Sequence, residues 1–446
     1  MSNPLENRRP AKEQRNFTSP SVDSLIDRFK QDVRDPELAA LFENCFPNTL
    51  DTTVYFSTHE GRPDTFVITG DIDAMWLRDS TAQVWPYLPL ASKDPRLKDL
   101  LAGVVNRQTR CILIDTYANA FNRGPASSQW ISDVTEMTPW LHERKWEIDS
   151  LCYAVRLAYG YWKATDDTSV FDPNWRQAMQ NVVKTLRDQQ RKTNLGPYKF
   201  QRAALESTDS LPIRGYGYPT APVGLICSSF RPSDDATIFP FLIPANLFAV
   251  VSLRQMGEIM EEVIGDKAFA AECARFADEV EQAIQAYAIH EHPEFAHIYA
   301  YEVDGYGGRV FMDDSNVPSL LSLPYLNCLP IDDPIYKATR AFVLSDRNPW
   351  FFKGTAAEGV GSPHTGLNQI WPIGITMRAL TSTDDQEIVH CLQMLKATTA
   401  DTGFMHEGFC KDDPFTFSRT WFAWANTIFG ELLLKLYTEK PGLLNK

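Results

Sequence analysis

The sequence has no apolar run long enough to cross a membrane. Its longest, Phe239 to Leu253, is interrupted by Pro240, Pro244 and Asn246 and falls short of the ~20 apolar residues that a spanning helix needs. Met1 to Asn16 is polar and charged, without the apolar centre of a secretory signal, so a cytoplasmic protein with no membrane partner is expected. Positive charge is also short. Lys and Arg number 43 against 57 Asp and Glu, a formal charge of −14, which repels phosphate backbones and offers no counterion-release affinity. Nucleic acid is therefore excluded as a partner, and a neutral ligand fits. Finally, Cys-x-x-Cys pairs are missing. The eight cysteines (Cys45, Cys111, Cys152, Cys227, Cys273, Cys328, Cys391, Cys410) lie far apart, with no His at ligand spacing beside any of them. Reduced structural thiols are expected.

Apolar periodicity and aromatic rings are plentiful. Aromatic residues make up 12% of the chain, with 11 Trp and 26 Phe, enough both to fill a core and to offer flat platforms to a ring-shaped ligand. The period is helical almost throughout. Leu25, Ile26, Phe29 and Val33 form one face, Leu100, Leu101, Val104 and Val105 another, and Trp146, Leu151, Cys152, Val155, Tyr159 and Trp162 a third. Phe269, Cys273, Phe276, Val280, Ile284 and Tyr287 form one of the cleanest. Further helices are expected near 172–190, 244–263, 333–344, 384–397 and 421–437. Strand-like alternation is confined to pieces such as 52–57 and 297–303. Residues 1–18 read as a disordered arm, since their polar groups bury too little surface to offset ordering, and 19–446 as one all-α domain. A regular succession of helix pairs is what a toroid of helical hairpins produces. Four long loops, 196–243, 302–318, 346–372 and 401–420, are rich in aromatic, charged and glycine residues, a composition that suits function better than disorder.

Three segments carry chemistry-bearing residues. The first, Gly70 to Gln83, packs Trp76, Arg78 and Asp79 within four positions, a ring platform beside two hydroxyl-binding groups, although Asp79 or Ser80 can also simply cap the following helix. Asp71 and Asp73 form an Asp-x-Asp pattern, a weak sign of metal binding. The second segment, Phe230 to Ala236, sets Asp234 beside Asp235. Adjacent carboxylates in irregular chain point apart, so one can enter a cleft while the other pairs with Arg231 or caps. The third places Glu407 after His406 on a glycine-flanked loop before a Trp-rich helix. His406-Glu407 lacks the second His of a zinc-protease helix, and the Gly-x-Gly pieces at 215–217, 305–307 and 359–361 lack the context of phosphate binding. Glu147, Asp149 and Ser150 read as ordinary residues of a helix start. His364, Thr365 and Trp371 lie in a Gly/Pro loop where hydrogen bonding to a ligand is plausible. His290, His292 and His297 read as solvated.

The segments Gly70 to Ser80, Phe230 to Asp235, Leu242 to Asn246, His406-Glu407 and Trp421 to Asn426 closely resemble glycoside hydrolase family 125 over nearly the whole chain beyond the arm. The resemblance implies an (α/α)6 barrel with active-site loops at one mouth. It implies a metal-independent exo-α-1,6-mannosidase that needs no cofactor and inverts the anomeric carbon of a mannose-containing oligosaccharide or N-glycan fragment; a monomer is expected. Carried onto this sequence, the general acid falls in the 231–235 segment, at Asp234 in preference to Asp235, and the general base at Glu407. Trp76, Arg78, Asp79, Asp235, His364, Thr365, Trp371 and His406 are then expected to hold the sugar. Two rival readings are another (α/α)6 glycosidase specificity, such as an α-glucosidase, and a non-catalytic glycan-binding protein, which has no need of the two carboxylates.

Overall fold

The computed structural model describes residues 6–445. Two compact units emerge, one built from the chain up to Asp73, Asp79–Val104 and Trp350 onwards, the other from Ala74–Arg78 and Val105–Pro349. Both are predominantly helical.

In the first unit the helices Pro20–Asp32, Pro36–Cys45, Pro372–Leu380, Asp385–Ala397 and Ala423–Glu439 supply the framework. Several starts are written in side chains: Ser19 accepts from Val22 N, Asp35 from Glu37 N and Leu38 N, and Asp384 from Gln386 N, each taking up a helix N–H that has no partner within the helix. A ladder of rings runs through the interior, with Phe29 on Phe42 at 4.0 Å, Phe42 on Phe46 at 4.8 Å and Tyr87 edge-on to Phe46 at 5.3 Å. The helix Ala423–Glu439 passes so close to this ladder that a Cβ at Gly430 would stand 2.9 Å from Phe46 Cα. Backbone cannot yield there as a side chain can, so Gly430→Ala is expected to destabilise the protein by roughly 1–3 kcal/mol. A denaturation midpoint equal to that of the parent would contradict this packing.

The arm departs from its expected disorder. From Glu6 onwards it lies on the first unit: the Arg9 side chain is 8% exposed and donates from Nε to Asp51 Oδ2 at 2.8 Å and from Nη1 to Asp23 at 3.0 Å. Phe17 is buried beneath the Arg96 guanidinium. Composition hides this because what orders the arm is a buried acid 42 residues further on. The first five residues of that expectation lie outside the described residues.

The second unit is organised on Ile243–Ile259, which is apolar on nearly every side and therefore enclosed. It packs against Ile148–Thr165 and Lys267–Tyr287. Asp172, Asp266 and Asp333 cap the helices that follow them. On Lys267–Tyr287 the expected face is buried from Phe269 to Ile284, while Tyr287 is 37% exposed.

The strands are short, none longer than six residues, and form six sheets of two or three strands among the described residues. Pairs such as Phe351–Lys353 with Glu358–Val360 lie within the long loops, so these are hydrogen-bonded rather than structureless, as buried backbone requires. All eight cysteines are free. Among the described residues no helix is long and apolar enough to cross a membrane.

Candidate active site

The second unit gathers a cluster of carboxylates. Between Phe230 and Ala236 the chain turns back on itself, with Asp234 N donating to Arg231 O at 2.9 Å and Arg231 N to Asp235 O at 2.7 Å. Asp234 sits at φ 67°, a left-handed conformation that Asp tolerates better than most residues and that marks functional turns. The turn separates the two acids: the Asp234 side chain is 25% exposed, while Asp235 is 3% exposed. The Arg231 side chain pairs with neither. It donates from Nε to Glu302 at 2.6 Å, and Glu302 also takes the backbone N–H groups of Ile238 and Phe239, which pins the segment.

Arg78 converges on Asp234 from the first turn of the helix Leu77–Val84, which follows the strand Met75–Trp76. Its Nη2 donates to Asp234 Oδ1 at 3.2 Å, and its Nη1 to Glu147 Oε2 at 2.7 Å and Asp149 Oδ2 at 3.2 Å. Asn119 Nδ2 reaches Asp234 Oδ1 at 3.3 Å and Glu143 Oε2 at 2.8 Å, and Lys145 Nζ donates to the Asp234 carbonyl at 2.7 Å. Three carboxyl groups thus share one guanidinium. Burial pushes Glu147 well above the usual carboxylate range; Arg78 opposes this, while the charges of Asp234 and Asp149 add to it. Burial lifts Asp149 to about 6, against the pull of Arg78. Both enclosed carboxyls are thus shifted towards the protonated form.

The first unit holds Glu407 between the tight turn at 399–403 and the strand Phe409–Cys410. Its Oε2 accepts from Ser418 Oγ at 2.9 Å and its Oε1 from Arg419 Nη1 at 3.3 Å, a hydroxyl and a guanidinium suited to an anion. Arg419 also pairs with Asp71 at 3.3 Å, so the Asp-x-Asp pattern serves an ion pair. Gly408 has a steric reason: a Cβ there would meet Thr365 Oγ1 and Trp371 Nε1 at 3.3 Å. Its absence lets those residues stand beside Glu407. Trp371 Nε1 donates to Thr365 Oγ1 at 2.7 Å.

The expected site residues fall into several groups. In the first unit Thr365 and Trp371 stand beside Gly408 and His364 lies edge-on to Trp371 at 6.4 Å, with His364 exposed and Thr365 half-buried. Asp79 accepts from Thr69 Oγ1 at 2.9 Å and is 6% exposed. His406 is fully enclosed, stacked on Phe417 at 4.1 Å, with both ring nitrogens facing the carbonyls of Arg419 and Thr399. Burial lowers its pKa, against the pull of those backbone carbonyls. In the second unit Trp76 is 7% exposed and lies 5.3 Å from His142. Asp235 and Arg78 are buried in the floor. Glu147 and Asp149, which the sequence reads as ordinary helix-start acids, are the main addition, with Asn119, Lys145, Ser418 and Arg419.

Residues 35–434 match the family described as metal-independent alpha-mannosidase (GH125). The meiotically up-regulated gene 157 protein of Schizosaccharomyces pombe is 42% identical over 98% of this chain and 90% of its own length. A Streptococcus pneumoniae protein is also 42% identical. Its structure, described as that of a metal-independent alpha mannosidase in a non-productive complex with alpha-1,6-mannobiose, superposes with a TM-score of 0.91 over 95% of this chain and 100% of that one.

Proposed function

The chain belongs to the metal-independent α-mannosidases of glycoside hydrolase family 125, and from that membership we propose that it releases terminal non-reducing α-1,6-linked mannose with inversion. An inverting hydrolysis needs one carboxylic acid to protonate the leaving oxygen and one carboxylate to activate water. Asp234 is the acid and Glu407 the base. The observation that carries the first assignment is that, of the three carboxyls on Arg78, Asp234 alone keeps an exposed edge: its side chain is 25% exposed, against 0% for Glu147 and Asp149. The second is supported by the donors on both Glu407 oxygens. His364, Thr365 and Asp79 read sugar hydroxyls, Trp371 and Trp76 offer ring faces to the sugar, and Asp235, Arg78 and His406 hold the catalytic carboxyls in place. The same reading carries one (α/α)6 toroid over 19–446, acting as a monomer on a mannose-containing oligosaccharide.

Proton NMR during early turnover of α-1,6-mannobiose tests this directly. β-Mannose is expected as the first anomer, and α-mannose appearing first would replace inversion by retention. In a panel of α-1,2, α-1,3 and α-1,6 disaccharides, equal rates would remove the linkage preference.

A further inference from the structure

Glu147 occupies the N-cap position of Ile148–Thr165, yet its side chain makes no capping hydrogen bond. It turns inward instead. Its Oε2 is taken by Arg78 Nη1 at 2.7 Å and Ser150 Oγ at 2.9 Å. Its Oε1 is buried and meets no donor among the described residues, while Asp234, held by the same guanidinium, adds its charge to the burial that raises the Glu147 carboxyl. Two ionised carboxylates are both acceptors and repel, and a proton taken up by either would turn the repulsion into a hydrogen bond. The cations nearby are divided among several acids. Arg78 is one cation for Glu147, Asp149 and Asp234, and Asp149 Oδ1 is likewise buried without a donor. Lys145 Nζ goes to the Asp234 carbonyl, to Asp209 at 2.9 Å and towards Glu143 at 3.7 Å. Arg202 is committed to Asp133 and Glu143. Asn119 is divided between Glu143 and Asp234, and the Tyr198 hydroxyl is bonded to backbone.

We propose that Glu147 is a positioning residue for the reaction: its buried carboxyl shares one proton with Asp234, so that Asp234 meets the leaving oxygen as an acid. This rests on the assignment of Asp234 as general acid. In the step itself the Asp234 O–H bond breaks as the leaving oxygen gains its proton, and the attacking water gives a proton to Glu407. Exchange with solvent then removes the proton from Glu407 and restores one to the Asp234–Glu147 pair. Asp149, on the same Nη1, keeps negative charge near the pair and makes ionisation of both members at once unfavourable.

Glu147→Gln tests this, because an amide donates a hydrogen bond to ionised Asp234 and favours the anion that Glu147 disfavours. The basic limb of the pH profile of kcat/KM on α-1,6-mannobiose is expected to move at least one unit towards acid. At pH 7 that is a loss of about tenfold or more, recovered near pH 5. An α-mannoside with a dinitrophenolate leaving group, which needs no proton, is expected to show no such loss, and Glu147→Asp is expected to restore part of the limb. A limb unmoved in Glu147→Gln overturns the proposal. In the unaltered enzyme a basic limb in the ordinary carboxylate range, about 4, also overturns it, whether or not the variant folds. Full mannobiose turnover by Asp234→Asn would instead remove the acid assignment itself.

Discussion

Asp234→Asn and Glu407→Gln are each expected to lower mannose release from α-1,6-mannobiose by about 10²–10⁴-fold, the usual worth of a general acid or base. That range is a barrier higher by roughly 3–5 kcal/mol. The fold is expected to survive both changes. Asn at 234 keeps an acceptor oxygen for Arg78 and Asn119 and relieves the contact with Glu147, so its melting temperature should equal or slightly exceed that of the parent. Gln at 407 keeps an acceptor for Ser418. The pair it weakens, with Arg419, is 21% exposed on the arginine side, and Arg419 still has Asp71, so about 1 kcal/mol or less is lost. Leaving-group ability separates the two roles. With a dinitrophenyl mannoside the Asn variant should recover most of its rate and the Gln variant none, because only the former lacks a proton donor. Steady-state kinetics on both substrates with calorimetry of both variants measures this, and parent-like turnover of mannobiose by either variant would cancel its role.

The helical framework was legible because its signals are local. Asp172, Asp266, Asp333 and Asp384 each precede the helix they cap, and the spacing from Phe269 to Ile284 marks a buried face wherever the helix is placed. The two loops proposed to carry the reaction were legible as motifs. What was not legible depends on distance along the chain. Arg78 meets Asp149 across 71 positions and Asp234 across 156, and nothing near Glu147 distinguishes an acid aimed at a distant guanidinium from one that favours a helix start. Choosing Asp234 over Asp235 likewise needs the backbone, since φ at 234 turns one carboxyl out and leaves the other in. His406 misleads for the opposite reason: it is next to Glu407 in sequence, but consecutive residues of an extended loop face opposite ways, and its ring stacks on Phe417 instead.

Arg78→Met is expected to cost stability as well as activity, and the loss should depend on pH. The guanidinium is 3% exposed and is bonded to two carboxyls that are fully enclosed. Methionine fills the space of the stem but leaves those charges uncompensated, a loss of roughly 3–5 kcal/mol when one partner of a buried ion pair is removed. The carboxyls can escape part of this by taking up protons. In the parent, Asp149 already titrates at about 6 rather than 3.8. A raised carboxyl of this kind contributes stability below its unfolded value, lost as pH climbs through the folded one. Without Arg78 the folded values of Asp149 and Glu147 rise further, which extends the decline to higher pH. The difference in unfolding free energy between parent and variant should therefore be small near pH 4, where these groups are protonated in both, and should widen steadily through neutrality. Denaturant melts across that range measure it. A difference independent of pH would mean that Arg78 acts through packing alone, and the shared-guanidinium account of the cluster would fail with it.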